Sequence, residues 1–174
     1  MAIYAQAPTF APTYIFAIIL NKNTENKIKM VILCQLKELG LSCFGCCGNS
    51  YSNKRKLMRD IKKNTLEFNN SKSIVSFMSR IRGLRDSGIC ANLVLKDEKF
   101  FCPGHPILHG GKDFRDIDLD CHKDHLCKTF LLFQSWPEEK QKQFLDFLES
   151  KKLDSYAYSI KMDNNSLLEE FEGE

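Results

Sequence analysis

The hexapeptide Cys43-Phe44-Gly45-Cys46-Cys47-Gly48 places three sulfur atoms and two glycines within six residues. Two thiols separated by two residues can turn inward on one metal ion, because a tight C-x2-C loop lets both Sγ atoms converge while its amides point at them. Gly45 and Gly48 supply the permissive backbone that such a turn needs. Cys47 complicates this picture, since adjacent residues project in different directions. The Cys46-Cys47 doublet therefore reads as two sites, as a bridged binuclear site, or as one ligand with a redox or structural neighbour.

The chain has eight cysteines, at 34, 43, 46, 47, 90, 102, 121 and 127. Leu93-Val94-Leu95 and Lys99-Phe100-Phe101 flank Lys96-Asp97-Glu98, a β-hairpin pattern that brings Cys90 and Cys102 near each other. Cys102-Pro103-Gly104-His105 is a C-x2-H turn, and Cys121 and Cys127 flank the expected start of a helix. Cys43, Cys46, Cys47, Cys90, Cys102, Cys121 and Cys127 together with His105 make enough donors for two closed tetrahedral sites of the structural kind. His109, His122 and His125 are alternative nitrogen donors, and Asp113, Asp116, Asp118 and Asp120 read as solvated loop carboxylates. Cys34, alone in an apolar segment, reads as a small buried hydrophobe.

Around the cysteines the pattern is helical. Ile32 to Leu41 carries apolar residues at Ile32, Leu33, Leu36 and Leu39 with Gly40 as a stop, which predicts a short amphipathic helix. Ser52 or Asn53 can cap a helix to about Asn69 that buries Leu57, Ile61 and Phe68, and Ile74 to Ile81 predicts a second. Pro103 to Asp120 has no sustained period and reads as a long irregular loop, the kind that is functional or held by something other than a core. His122 to Phe133 predicts a helix, and Ser135-Trp136-Pro137-Glu138 reads as the start of the next, ending near Ser150. Leu153 to Ile160 is of undecided type, and Asp163 to Asn165 can start a last helix. The fold expected is mainly α with a small β-hairpin, an irregular Cys-rich metal-stabilised core packed on amphipathic helices. It forms one domain over 30–174, with 1–29 a loose or misassigned leader.

Composition narrows the function classes. A hydrophobic fraction of 43% and a charged fraction of 27% are those of a soluble globular chain, and a net charge of +3 implies no partner. The uncharged stretch from Met1 to Asn21 is broken by Pro8 and Pro12, has no basic residue ahead of its apolar run, and is too interrupted to span a bilayer. No membrane span is expected, and the compartment expected is the cytoplasm, where clustered cysteines more often bind metal than form disulfides. The basic run from Lys54 to Lys63 lies on a helix whose other face is apolar, so it reads as a solvated face and nucleic acid is not the expected partner. A metal ion is, and no protein partner is indicated.

CFGCCG, followed by Cys90 with a hydrophobic strand to Cys102-Pro103 and then Cys121 and Cys127, resembles the cysteine-cluster proteins of the YkgJ type, described as zinc- or iron-chelating domains. The resemblance covers roughly residues 40 to 135. It implies that Cys43, Cys46, Cys47, Cys90, Cys102, Cys121 and Cys127 are ligands of Zn2+ or of an iron-sulfur cluster, with a folding or electron-transfer role. Two other readings stay open at this point. One is a redox or group-transfer enzyme with Cys47 as its reactive thiol; the other is a secreted disulfide scaffold.

Overall fold

The computed structural model describes residues 32–173, and the leader expected over 1–29 lies outside them. The helix expected from Ile32 to Leu41 is replaced by a tight reversal. Strands β1 (Gln35–Leu36) and β2 (Leu41–Ser42) pair antiparallel, Gln35 with Ser42 and Leu36 with Leu41, around a 3-10 turn at Lys37–Leu39. Gly40 decides this: it adopts φ +67° and its N–H donates to the Lys37 carbonyl at 3.2 Å, so the chain turns back on itself. Leu33 and Leu36 are still buried by this route, joined by Leu41, while Ile32 and Leu39 are only partly buried.

The next elements follow the expected pattern. Helix α1 (Lys54–Asn69) starts where Asn53 accepts the Lys56 N–H at 3.0 Å, and it buries Leu57 and Ile61. Helix α2 (Ile74–Ser79) is capped by Ser73 and buries Phe77 and Met78. Strands β3 (Val94–Lys96) and β4 (Lys99–Phe101) form the expected hairpin, with Val94 paired to Phe101, and Asp97 and Glu98 take positive φ at its turn.

Beyond the hairpin the boundaries shift. The stretch from Pro103 to Asp120 is irregular apart from 3-10 turns at Pro106–Leu108 and Arg115–Ile117. The helix expected from His122 begins later, as α3 (Lys128–Ser135), because the His125 N–H closes a turn onto the His122 carbonyl at 2.9 Å. Ser135 does not cap the following helix. Its hydroxyl donates back to the Leu132 carbonyl at 2.7 Å, and α4 (Glu138–Ser150) starts directly after Pro137. The undecided segment is helix α5 (Ser155–Asp163), capped by Asp154, and α6 (Ser166–Gly173) ends the described chain.

The described residues are thus mainly helical, with two antiparallel sheets of two strands each. Their core has three apolar clusters. Leu33, Leu36 and Leu41 join Phe133, Phe144, Leu148 and Tyr158 in one. Phe44, Leu57, Ile61, Ile89, Leu93 and Phe100 form the second, and Phe77, Met78 and Val94 the third. Among the described residues no helix is long and apolar enough to cross a membrane.

A charged network ties α1 and α2 to the loop before β3. Glu67 accepts from Arg80 Nε at 2.8 Å and from Arg85, while Arg80 also reaches the Asn92 side chain and the Ala91 carbonyl. Arg80 and Arg85 are largely buried. Removing their shared carboxylate leaves two guanidiniums without it, so Glu67→Ala is expected to destabilise the protein by about 3 kcal/mol, read as a lower urea midpoint at unchanged slope.

Candidate metal centre

CFGCCG leaves β2 and turns at Gly45–Cys46, where the Cys47 N–H donates to the Phe44 carbonyl at 2.7 Å, and the segment is fastened to α5. The Ser42 N–H donates to Ser155 Oγ and the Phe44 N–H to Ser159 Oγ, each at 3.0 Å. Tyr51 Oη donates to the Phe44 and Gly45 carbonyls at 3.1 and 3.0 Å. Gly45 lies against α5 so closely that a Cβ there would be 3.0 Å from the Ser159 carbonyl oxygen. Phe44 is fully buried among the rings of Tyr51, Phe100 and Tyr156, which pins the segment between its cysteines.

From this fixed segment the chain reaches the other cysteines through backbone bonds. Cys43 donates its N–H to the Cys34 carbonyl at 3.0 Å, one place beyond the Gln35–Ser42 pair. Cys34, expected as an inert residue in a helix, instead stands beside Cys43 because the helix is a strand corner. On the other side Cys90 donates its N–H to the Cys47 carbonyl at 2.7 Å, and Gly48 bridges to Ile89. Cys102 directly follows β4. Cys121 donates its N–H to the carbonyl of Asp118, whose buried carboxylate accepts from Asn92 Nδ2 at 2.7 Å, two residues after Cys90. Cys127 is the residue that begins α3, and it packs on the same apolar cluster as Cys43.

All eight cysteines are free thiols, and as placed no group of three or more His, Cys, Asp or Glu side chains among the described residues is arranged to hold a metal ion. The sulfurs nevertheless sense one another. Burial, then the charges of Cys46 and Cys127, push the Cys34 thiol up to about 12, and Cys43 rises well above the usual thiol range from burial and the charges of Cys34, Cys46 and Cys127. Burial first, and Cys46 among its neighbours, raises Cys127. In the same way burial pushes Cys102 up to about 12, with Cys90 and Cys121 adding to it, and burial with Cys90 pushes Cys121 to about 11. Cys90 is raised chiefly by burial, with the Asp118 carboxylate adding to it.

Against this resistance to ionisation, backbone amides are already aimed at sulfur. The Gly45 N–H donates to Cys43 Sγ at 3.3 Å and the Asn92 N–H to Cys90 Sγ at 3.4 Å, each from two residues on. The amides of Gly104 and Phe130 act in the same sense on Cys102 and Cys127. Such donors favour the thiolate and are the usual outer support of a metal-bound cysteine. Thr129, two residues past Cys127, is fully buried with no partner for its hydroxyl.

The doublet separates in character. Cys47 donates its S–H to Cys46; this bond, then burial, holds the Cys47 thiol well above the usual range, and the same bond draws Cys46 down to about 7. Cys46 is also the exposed member of the pair. Of the doublet, Cys46 is thus the more accessible and the more readily ionised thiol in the metal-free chain. In reduced, metal-stripped protein Cys46 is expected to alkylate first, with a rate that rises as pH passes about 7, checked by iodoacetamide labelling resolved by mass spectrometry.

His105 donates its N–H to the Cys102 carbonyl at 3.1 Å, closing the C-x2-H turn. Its Nδ1 accepts the Ile107 N–H at 3.3 Å, and its pKa is lowered by burial and by Arg115, with Asp113 opposing. His109 bonds the Pro103 carbonyl at 2.6 Å and packs on Phe114, whereas His125 faces Asp163. Asp118, expected as a solvated loop carboxylate, is buried and accepts from Asn92. Arg115, held by Asp113 through two oxygens at 2.9 and 2.7 Å, is a cation beside Cys46, Cys102 and Cys121. Neither residue carries a sequence signal beyond its place in the acidic, Gly-rich loop.

No family model matches the chain, and neither a curated protein nor a solved structure has significant similarity to it.

Proposed function

We propose that this chain is a cytoplasmic metal-binding protein whose cysteine cluster chelates Zn2+ or an iron-sulfur cluster, a divergent relative of the YkgJ-type proteins that CFGCCG resembles. One observation carries the reading: seven of the eight free cysteines lie where burial and neighbouring charges oppose their ionisation, while backbone amides point at four of them. A thiophilic cation reverses that balance, because it deprotonates coordinated thiols outright and uses the amides as its outer support. The donor set is soft, which suits zinc and iron-sulfur clusters and excludes the oxygen-loving cations. Zinc would supply a permanent cross-link with no redox chemistry, and an iron-sulfur cluster would supply an electron carrier.

What the residues do under this reading is fold the irregular segment. Pro103 to Asp120 contributes Asp118 and the two 3-10 turns but few buried apolar side chains, so ligation through Cys102 and Cys121 would fix it at both ends. Arg115 would offset part of the negative charge that accumulates when several thiolates share a cation. Purified anaerobically, the protein is expected to be colourless if it holds zinc and to absorb in the visible, bleaching on reduction, if it holds iron-sulfur. Thiol titration of denatured, chelator-treated, unreduced protein is expected to find all eight thiols free. A result of none would replace this reading with a disulfide scaffold.

A second reading rests on Cys46, the one exposed cysteine. A redox or group-transfer enzyme would use it as nucleophile, and labelling of Cys46 in metal-loaded protein separates the two: a ligated sulfur is protected, a catalytic one reacts.

A further inference from the structure

We infer that the solvent face of α1 is a docking ridge for the phosphate backbone of a duplex nucleic acid, held through Arg55, Arg59, Lys62 and Lys63 without regard to base sequence. The ridge uses none of the cysteines.

At 3.6 residues per turn these four side chains fall within about 100° of arc and about 12 Å of helix axis. All four are exposed, and Arg55, Lys62 and Lys63 have no ion pair with another described residue. The two acids of α1 serve the interior instead. Asp60 is buried and accepts the Ser87 N–H at 3.2 Å, meeting Arg59 only at 3.4 Å, while Glu67 is taken by Arg80 and Arg85. A solvated helix face interleaves acids with bases four residues apart. Here Arg55 with Arg59 and Arg59 with Lys63 are like-charge pairs at that spacing, which oppose the helix. Lys54, Arg55 and Lys56 also fill the first turn with no acid beside them, against the helix dipole. Lys54 is answered by Asp154 at 2.7 Å and Lys56 by the Asp86 carbonyl at 2.8 Å, so the charge left uncompensated is that of the ridge.

Positive charge set against the helix in both these ways is what a polyanion relieves on binding. The form of the polyanion follows from the neighbouring side chains. An anionic membrane needs apolar side chains to insert, but Leu57 and Ile61 are buried on the opposite face and Leu66 is the one apolar residue among the exposed positions of α1. Unpaired bases need aromatic platforms, and none of the exposed residues of α1 is aromatic. A ridge that can contact phosphates alone fits the regular backbone of a duplex and reads no sequence.

The test titrates a short labelled DNA duplex of arbitrary sequence with the full chain as purified and follows fluorescence anisotropy over a range of salt. For wild-type protein the logarithm of the binding constant is expected to fall with the logarithm of salt at a slope of about −3 to −4, roughly a 100-fold loss between about 50 and 200 mM, as four phosphate contacts require. The variant Arg55→Gln/Lys62→Gln/Lys63→Gln, altered only at exposed positions, is expected to keep its circular dichroism, to bind at least about ten-fold more weakly at low salt and to flatten the slope by about 3. Lys37→Gln/Lys142→Gln/Lys152→Gln removes the same charge at exposed positions outside α1 and is expected to change the affinity by less than about two-fold. Equal losses in the two triple variants, tighter binding to a single strand or to phosphatidylserine vesicles than to the duplex, or no binding by wild-type protein at low salt would overturn the inference.

Discussion

On the proposed metal-binding reading, treating the purified protein with a chelator is expected to lower its thermal midpoint by at least about 20 °C. The apparent binding free energy of structural zinc at neutral pH is on the order of 10 kcal/mol, and for a chain of this length each kcal/mol moves the midpoint by about 2–4 °C. The loss should concentrate in the Pro103 to Asp120 segment, where burial contributes least, so limited proteolysis of the stripped protein is expected to cut there first. The pH dependence carries a sign that separates the two forms. In the metal-free fold the buried thiols are held up, Cys34 and Cys102 to about 12 and Cys121 to about 11, above the ordinary thiol value near 8.5. Their contribution is fully present below about pH 8.5 and is lost as pH rises toward 11 and 12. Metal-bound thiolates behave oppositely: their folded pKa is depressed, so stability is present at pH 8.5 and lost as pH falls. Denaturation midpoints between pH 5 and 8 are therefore expected to rise with pH in the loaded protein and to lack that thiol-driven rise in the stripped one.

Gly48→Ala is expected to destabilise the protein by about 3–5 kcal/mol, in the class of substitutions that force backbone apart. Gly48 has φ +149°, and a Cβ there would lie 2.1 Å from the Gly88 carbonyl oxygen and 2.8 Å from the Tyr51 ring. Gly88 is its counterpart, with φ +83° and a Cβ position 2.1 Å from the Asn49 oxygen. Two backbones cross here without room for a methyl group, and neither oxygen can rotate away as a side chain could. The crossing holds the Cys47–Cys90 bond, so the substitution should separate those sulfurs as well as lower stability. Gly110→Ala provides the comparison. Gly110 has φ +60° but nothing within 4 Å of its Cβ position, so only the left-handed conformation is penalised, by about 1 kcal/mol. Urea denaturation of the three proteins checks the order, and a Gly48→Ala protein within 1 kcal/mol of wild type would contradict the close crossing.

The helices were legible wherever a cap and an apolar face agreed. Asn53 with Leu57 and Ile61 placed α1, and the Lys96-Asp97-Glu98 turn placed the hairpin. Ile32 to Leu41 misled because its apolar spacing fits a helix face and a buried corner equally, and only the conformation of Gly40 separates them. Ser135 misled because its hydroxyl can serve the helix behind it as well as the one ahead. At the site, the turn at Gly45–Cys46 was readable from the glycine placed between the cysteines. The place of Cys34 beside Cys43 was not, since it depends on a strand pairing that the sequence pattern hid, and Asp118 and Arg115 act through tertiary contacts that leave no local trace.

The most direct measurement is the metal content of full-length protein purified anaerobically without chelators, by elemental analysis against protein concentration. The account predicts at least about one equivalent of zinc or iron per chain. Less than about a tenth of an equivalent of either would contradict it.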